Sequence, residues 1–298
     1  MPLRYNSRVQ VFLNGRFVPE SRAVVPVNDR GFLLGDGLFE TVRVRRSVPF
    51  QFAQHLERLA RGADFLKIKL PFPPAQLELF AARLIQRNRM PDAVLRLTLT
   101  RGPGERGYLP RGHARPTLAM TLHPAPKNPP AWKLATSSFR LAAGDPLAGF
   151  KTTSKILNVL ARIEASQNGA DEALLLNTRG EAVETAGGNL FWIHGGEVCT
   201  PPVGRGALPG VTREVVLEIS RSLGCKTAQR AIRPARLRRA AGIFVTQSVF
   251  GVVPVTQLDG VQLAPSPLVN AIRRAYDRLL VSGQSVIIGA WVRRGLLA

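Results

Sequence analysis

The chain has 298 residues, 45% hydrophobic and 20% charged, which is enough for two domains with separate cores. No run of 18 apolar residues occurs, and Cys199 and Cys225 are too few for a disulfide framework or a cysteine-based metal site, so neither a membrane span nor a metal centre is expected. The formal net charge of +21 comes from 34 Arg and 7 Lys spread along the whole chain. The densest cluster (Arg230, Arg233, Arg236, Arg238, Arg239) has no interleaved aromatics, so a solvated Arg-biased surface is favoured over a nucleic-acid interface.

Residues 9–13 and 17–18 read as strands around Asn14-Gly15, a strong hairpin signal. Residues 38–45 alternate as a strand, and Leu56, Leu59, Ala63 and Leu66 recur at helical spacing over about 53–66. A second helix is expected over 75–88, after Pro73-Pro74, followed by strands at 93–100 and 117–121 around a Gly/Arg-rich loop. Four prolines in 123–132 mark a linker, because proline denies both helix and central strand.

Beyond it, helices are expected at about 156–168, 213–223 and 267–280. Short strands are expected near 172–177, 181–183, 189–194, 198–200, 243–246 and 252–258. The expected fold class is α+β. A small N-terminal domain (1–122) with an antiparallel sheet precedes the linker, and a larger mixed, barrel-like domain (133–298) follows it. The opening residues hold no apolar stretch of signal-peptide length, so a soluble cytoplasmic protein is expected.

Two phosphate motifs fail on context. Gly102-Pro103-Gly104-Glu105-Arg106-Gly107 matches G-x-G-x-x-G, but no helix is expected after it. Gly144 to Gly149 approaches a P-loop, but Phe150 separates it from Lys151-Thr152.

A set of blocks in order is more specific. Residues 29–41 read DRGFLLGDGLFET, and His55-Leu56-Glu57-Arg58-Leu59 follows. Gly149-Phe150-Lys151-Thr152-Thr153-Ser154 leads to Asn158 and Glu164. Glu184-Thr185-Ala186-Gly187-Gly188-Asn189-Leu190-Phe191 and Leu208-Pro209-Gly210-Val211-Thr212-Arg213 complete the run. In order and spacing the set resembles class IV, fold type IV aminotransferases, which depend on pyridoxal 5'-phosphate.

That resemblance implies a Schiff base on Lys151, with Lys155 as the competing lysine, and Glu184 facing the pyridine nitrogen. It implies phosphate contacts from Arg58, Val211, Thr212 and Ser248, with Gly187, Gly188 and Asn189 lining the cofactor. It also implies a homodimer acting on a small-molecule substrate, with the loop over 101–115 crossing to the partner.

Within the family, Thr41, the Thr100-Arg101-Gly102…Arg106-Gly107-Tyr108 loop and Thr246-Gln247-Ser248-Val249-Phe250 resemble 4-amino-4-deoxychorismate lyases. Gln247, Phe250 and Ser154 depart from the usual residues. The lyase resemblance makes Thr41 a catalytic proton donor beside Lys151. Phe39, Arg106, Tyr108, Val249 and Phe250 become substrate contacts, Arg106 and Tyr108 for carboxylates. The alternative is an aminotransferase for D-amino acids, branched-chain amino acids or (R)-amines.

Overall fold

The computed structural model describes residues 9–111 and 115–283. The tail over 285–298, which runs past the resemblance, and positions 112–114 of the expected partner-crossing loop lie outside the described residues. The chain divides into two compact units. One comprises 1–126 with 150–155, the other 127–149 with 156–298.

The first unit carries β1 (Gln10–Leu13), β2 (Arg16–Pro19), α1 (Arg30–Leu34), β3 (Gly37–Arg45), β4 (Val48–Pro49), α2 (Phe52–Phe65), α3 (Pro74–Asn88), β5 (Ala93–Thr100) and β6 (Thr117–Pro124). Its six strands form an antiparallel sheet in the order β2-β1-β6-β5-β3-β4. The β1–β2 turn uses Asn14 and Gly15, both at positive φ, as the Asn-Gly signal requires.

Period-two alternation gives the sheet two faces. Leu38, Val42, Val44, Leu95, Leu97, Leu99, Leu118 and Met120 pack with Leu56, Leu59, Leu77, Leu84 and Ile85 of α2 and α3. The other face carries Phe39, Thr41, Arg96 and Thr98, all half-buried.

The second unit carries β7 (Trp132–Leu141), α4 (Ile156–Gln167), β8 (Glu172–Asn177), β9 (Ala182–Thr185), β10 (Asn189–His194), β11 (Glu197–Thr200), α5 (Val211–Ser222) and β12 (Thr227–Gln229). After these come α6 (Pro234–Leu237), β13 (Ile243–Gln247), β14 (Gly251–Leu258), β15 (Val261–Gln262) and α7 (Pro267–Ser282). Strands β10-β13-β14-β7-β8-β9 pair in sequence, and β9 returns to β10, which closes a six-stranded barrel. β7 is parallel to both β8 and β14, so the sheet is mixed, as expected. Alternate residues Leu174 and Leu176, Leu190 and Trp192, Ile243 and Val245, and Val253 and Val255 form one apolar cluster.

Two expectations change. The proline-rich stretch is shorter than 123–132, because β6 runs to Pro124 and β7 starts at Trp132. Lys151, expected in the larger domain, groups with the first unit. The backbone pairing described next is the reason.

Candidate active site

Lys151 is placed by pairing with the free edge of β3. The Phe39 N–H donates to the Lys151 carbonyl at 2.9 Å, and the Thr153 N–H donates to the Gly37 carbonyl at 2.9 Å. Leu38 and Thr152 form the antiparallel bridge between them. Phe150 stacks on Phe65 of α2 with ring centroids 4.2 Å apart, and the Thr153 hydroxyl donates to the Gly35 carbonyl at 2.7 Å. A lysine so flanked has a fixed backbone.

Opposed residues in an antiparallel pair share a face, so Lys151 lies on the face of Phe39 and Thr41. Its Nζ stands 4.4 Å from the centroid of the Phe39 ring. The Arg96 guanidinium rests on the same ring at 4.1 Å, and Arg96 lies across the ladder from Thr41. Burial holds Arg96 below its ordinary pKa, and among the described residues no carboxylate pairs with it. Lysine, hydroxyl, aromatic ring and guanidinium therefore share one half-open face.

On the opposite face, Glu40 is 1% exposed and accepts three hydrogen bonds. Arg58 Nε and Nη2 donate to its two oxygens at 2.8 and 2.7 Å, and His55 Nδ1 lies 2.7 Å from Oε2. Burial alone would raise the Glu40 pKa. The charge and hydrogen bonds of Arg58, with the His55 bond, outweigh it and hold the carboxyl at about 2. His55 is pushed down, first by burial, although its bond to Glu40 acts the other way. Arg58 is thus fixed by a carboxylate that sequence reasoning left unassigned. The available signal was a Glu in the apolar phase of β3, between Leu38 and Val42.

The signature over 29–41 has a structural part as well. Asp29 is fully buried and accepts from Thr100 Oγ1 at 2.9 Å, Thr117 Oγ1 at 2.7 Å and the Gly31 N–H at 2.8 Å. Gly35 has φ +66°, and a Cβ there would stand 2.3 Å from Ser154 Oγ. Arg106 and Tyr108, expected to touch substrate, are exposed, Tyr108 at 89%.

In the second unit, Glu184 sits on β9 opposite Asn189 of β10. Its Oε2 accepts the Leu208 N–H at 2.9 Å, while Asn189 Nδ2 donates to the Leu208 carbonyl at 2.8 Å. The two side chains hold the stretch leading into α5. Gly210 is its N-cap with no side-chain cap bond, so the first amides of α5 at Val211 and Thr212 stand at a helix end that favours an anion. Thr212 is buried inside the first turn and does not act as the cap.

A Cβ at Gly210 would lie 2.0 Å from Asn189 Oδ1, and one at Gly188 2.7 Å from the Thr246 carbonyl. Gly187 has looser surroundings, its nearest neighbour being Glu172 Oε2 at 3.3 Å. Ser248, Val249 and Phe250 form the half-buried turn from β13 to β14, and Phe250 meets Trp132 edge-on at 5.8 Å.

The residues present fit pyridoxal 5'-phosphate in kind. They offer a positioned lysine amine, a locked carboxylate at Glu184, an uncapped helix start and a cradle kept open by glycine. No helix among the described residues is long and apolar enough to cross a membrane.

Comparison with known proteins agrees. The family model described as amino-transferase class IV matches residues 37–258. The chain is 34% identical over 255 residues to a Methanocaldococcus jannaschii protein named "Putative branched-chain-amino-acid aminotransferase", covering 85% of this chain and 88% of that protein. It is 30% identical over 237 residues to the aminodeoxychorismate lyase of Vibrio harveyi, covering 78% and 86%. Among solved structures, the T.th. branched-chain amino acid aminotransferase with pyridoxamine 5'-phosphate superposes with a TM-score of 0.87 at 25% identity, covering 92% of this chain and 95% of that one.

Proposed function

Since this chain belongs to the class IV aminotransferase family, whose members depend on pyridoxal 5'-phosphate, we propose that it is the lyase that converts 4-amino-4-deoxychorismate to p-aminobenzoate and pyruvate. The observation that carries this reading is the placement of Thr41. Its hydroxyl lies on the same face of β3 as Phe39, the ring over which Lys151 Nζ stands. An amine and a hydroxyl on one surface support a proton acceptor and a proton donor acting together.

Bound pyridoxal 5'-phosphate supplies an electron sink beside the substrate amine. Lys151 would hold the cofactor, and its neutral amine would take the proton from the substrate's C4. As the C3–O bond to the enolpyruvate group breaks, Thr41 would give a proton to the leaving oxygen, and aromatisation of the substrate ring would drive the step. Glu184, whose carboxylate accepts the Leu208 N–H, would keep the pyridine nitrogen protonated. Arg58, Ser248 and the amides of Val211 and Thr212 would hold the phosphate, with Gly187, Gly188 and Asn189 shaping its surroundings.

Arg96 adds a cation on the lysine face and supports an acidic substrate. Phe39, Val249 and Phe250 line the substrate, and Arg106 and Tyr108 reach its carboxylates from the loop. The assembly in this reading is a cytoplasmic homodimer in the route to folate.

A second reading, an aminotransferase for amino acids, is favoured by the 34% identity to the Methanocaldococcus protein. One assay separates them. The lyase forms p-aminobenzoate over many turnovers with no 2-oxo acid present, whereas an aminotransferase stops after one turnover without an acceptor. No product from aminodeoxychorismate, with amino-acid turnover in the presence of 2-oxoglutarate, overturns the lyase reading.

A further inference from the structure

Arg30, in the signature over 29–41, has no part in the chemistry above, yet its side chain is only 6% exposed. Nη1 donates to the Gly107 carbonyl at 2.8 Å and Nη2 to the Tyr108 carbonyl at 2.8 Å. Nε donates to Asp36 Oδ2 at 3.0 Å. All three nitrogens are therefore engaged, two of them on consecutive peptide groups of one loop.

Asp36 is itself fixed. Arg101 grips it through Nε at 2.7 Å and Nη2 at 3.0 Å, and donates onward to the Leu66 and Lys67 carbonyls. The Arg30 backbone joins the same frame, since its N–H donates to the Gly102 carbonyl at 3.0 Å. The Asp36 carboxyl is held below its usual range. Burial opposes this, and the bonds and charges of Arg101 and Arg30 produce it.

We propose that Arg30 is a positioning residue for substrate recognition: it clamps the Gly107–Tyr108 peptides and so presets the side chains of Arg106 and Tyr108. The proposal rests on the reading that these two side chains reach the substrate. A guanidinium forked onto two carbonyls constrains the backbone regardless of loop side chains. Among the described residues of the loop, 105–111 are all exposed, so the Arg30 fork is a buried anchor for an exposed stretch. A loop ordered before binding spares the complex the entropy of ordering it. Loosening the clamp should therefore weaken binding and leave the chemical step intact.

The test uses cofactor-loaded enzyme and compares wild type, Arg30→Gln, Arg30→Lys and Arg106→Gln. Two readouts serve: steady-state kinetics on aminodeoxychorismate for all four proteins, and, for wild type and the two Arg30 variants, the rate of tryptic cleavage after Arg106 followed by mass spectrometry. For Arg30→Gln we expect KM to rise on the order of tenfold or more, kcat to stay within about threefold, and cleavage to accelerate by about tenfold. Arg30→Lys keeps the charge but cannot fork, and should show the same pattern at smaller size. It also decides the matter should Arg30→Gln fail to fold.

A KM rise in Arg106→Gln without one in the Arg30 variants overturns the clamp and leaves the loop's role standing. Unchanged KM in all three removes the premise and the proposal together. In either case, turnover by wild type without an acceptor still reports on the lyase reading itself.

Discussion

Glu40 and Arg58 meet as a buried fork, Nε on one carboxylate oxygen at 2.8 Å and Nη2 on the other at 2.7 Å. Both residues are nearly inaccessible, at 1% and 5% exposure. The pair costs desolvation to assemble and leaves a buried charge behind when one member is removed. Glu40→Gln should therefore destabilise the apoprotein by about 3 kcal/mol, measured by urea unfolding at neutral pH. It should also weaken pyridoxal 5'-phosphate more than pyridoxal, since the loosened group is the one assigned to phosphate. Equal losses for the two ligands would show that Arg58 does not serve the phosphate.

The same carboxyl makes a pH prediction. Its folded pKa of about 2 lies below the ordinary 4.5. A depressed carboxyl contributes stability that is fully present above the ordinary value and is lost as pH falls through the folded one. Wild-type unfolding free energy should therefore drop by about 3 kcal/mol more than that of Glu40→Gln between pH 5 and pH 2. Parallel acid limbs in the two proteins would contradict the assignment.

Lys151 should take the label when cofactor-loaded protein is treated with borohydride and mapped by peptide mass. Label on Lys155 would shift the register by four residues. Lys151→Ala should abolish turnover while changing thermal stability little, because the side chain is half-buried and lies outside the apolar core of its unit.

Thr41→Val removes a hydroxyl from the lysine face and nearly preserves volume. In the lyase reading kcat should fall about tenfold to a hundredfold with KM nearly unchanged, since the hydroxyl acts as pyruvate departs. A rise in KM alone would make Thr41 a binding residue instead.

Gly210→Ala tests the start of α5. The new Cβ would lie 2.0 Å from Asn189 Oδ1, so Asn189 must give up its place beside Leu208. Destabilisation of about 1–3 kcal/mol is expected, with weaker phosphate binding by the same variant. Titration of pyridoxal 5'-phosphate into apoprotein reads the second effect, and unaltered affinity would separate this helix end from the cofactor.

Much of this protein is determined by its sequence alone. Asn14-Gly15 specified the first hairpin, and helical spacing of Leu56, Leu59 and Ala63 specified α2, because turn chemistry and amphipathic period act over a few neighbouring residues. The ordered blocks around Lys151 and Glu184 identified the family for a similar reason, since chemistry fixes residue types at fixed spacing.

What only the tertiary structure decided concerns partners distant in sequence. β7 was not legible in the run Trp132–Leu141, whose Thr136, Ser137 and Ser138 break the apolar pattern. It is a strand because it lies parallel to both β8 and β14. Lys151 joins the first unit through its own bond to Phe39 and that of Thr153 to Gly37, partners more than 110 residues earlier in the chain. Likewise Arg30 reads as one cation among 34 arginines until Gly107 and Tyr108 are folded against it. Backbone carbonyls have no letter in a sequence, so a side chain whose partners are carbonyls shows its role only in the folded chain.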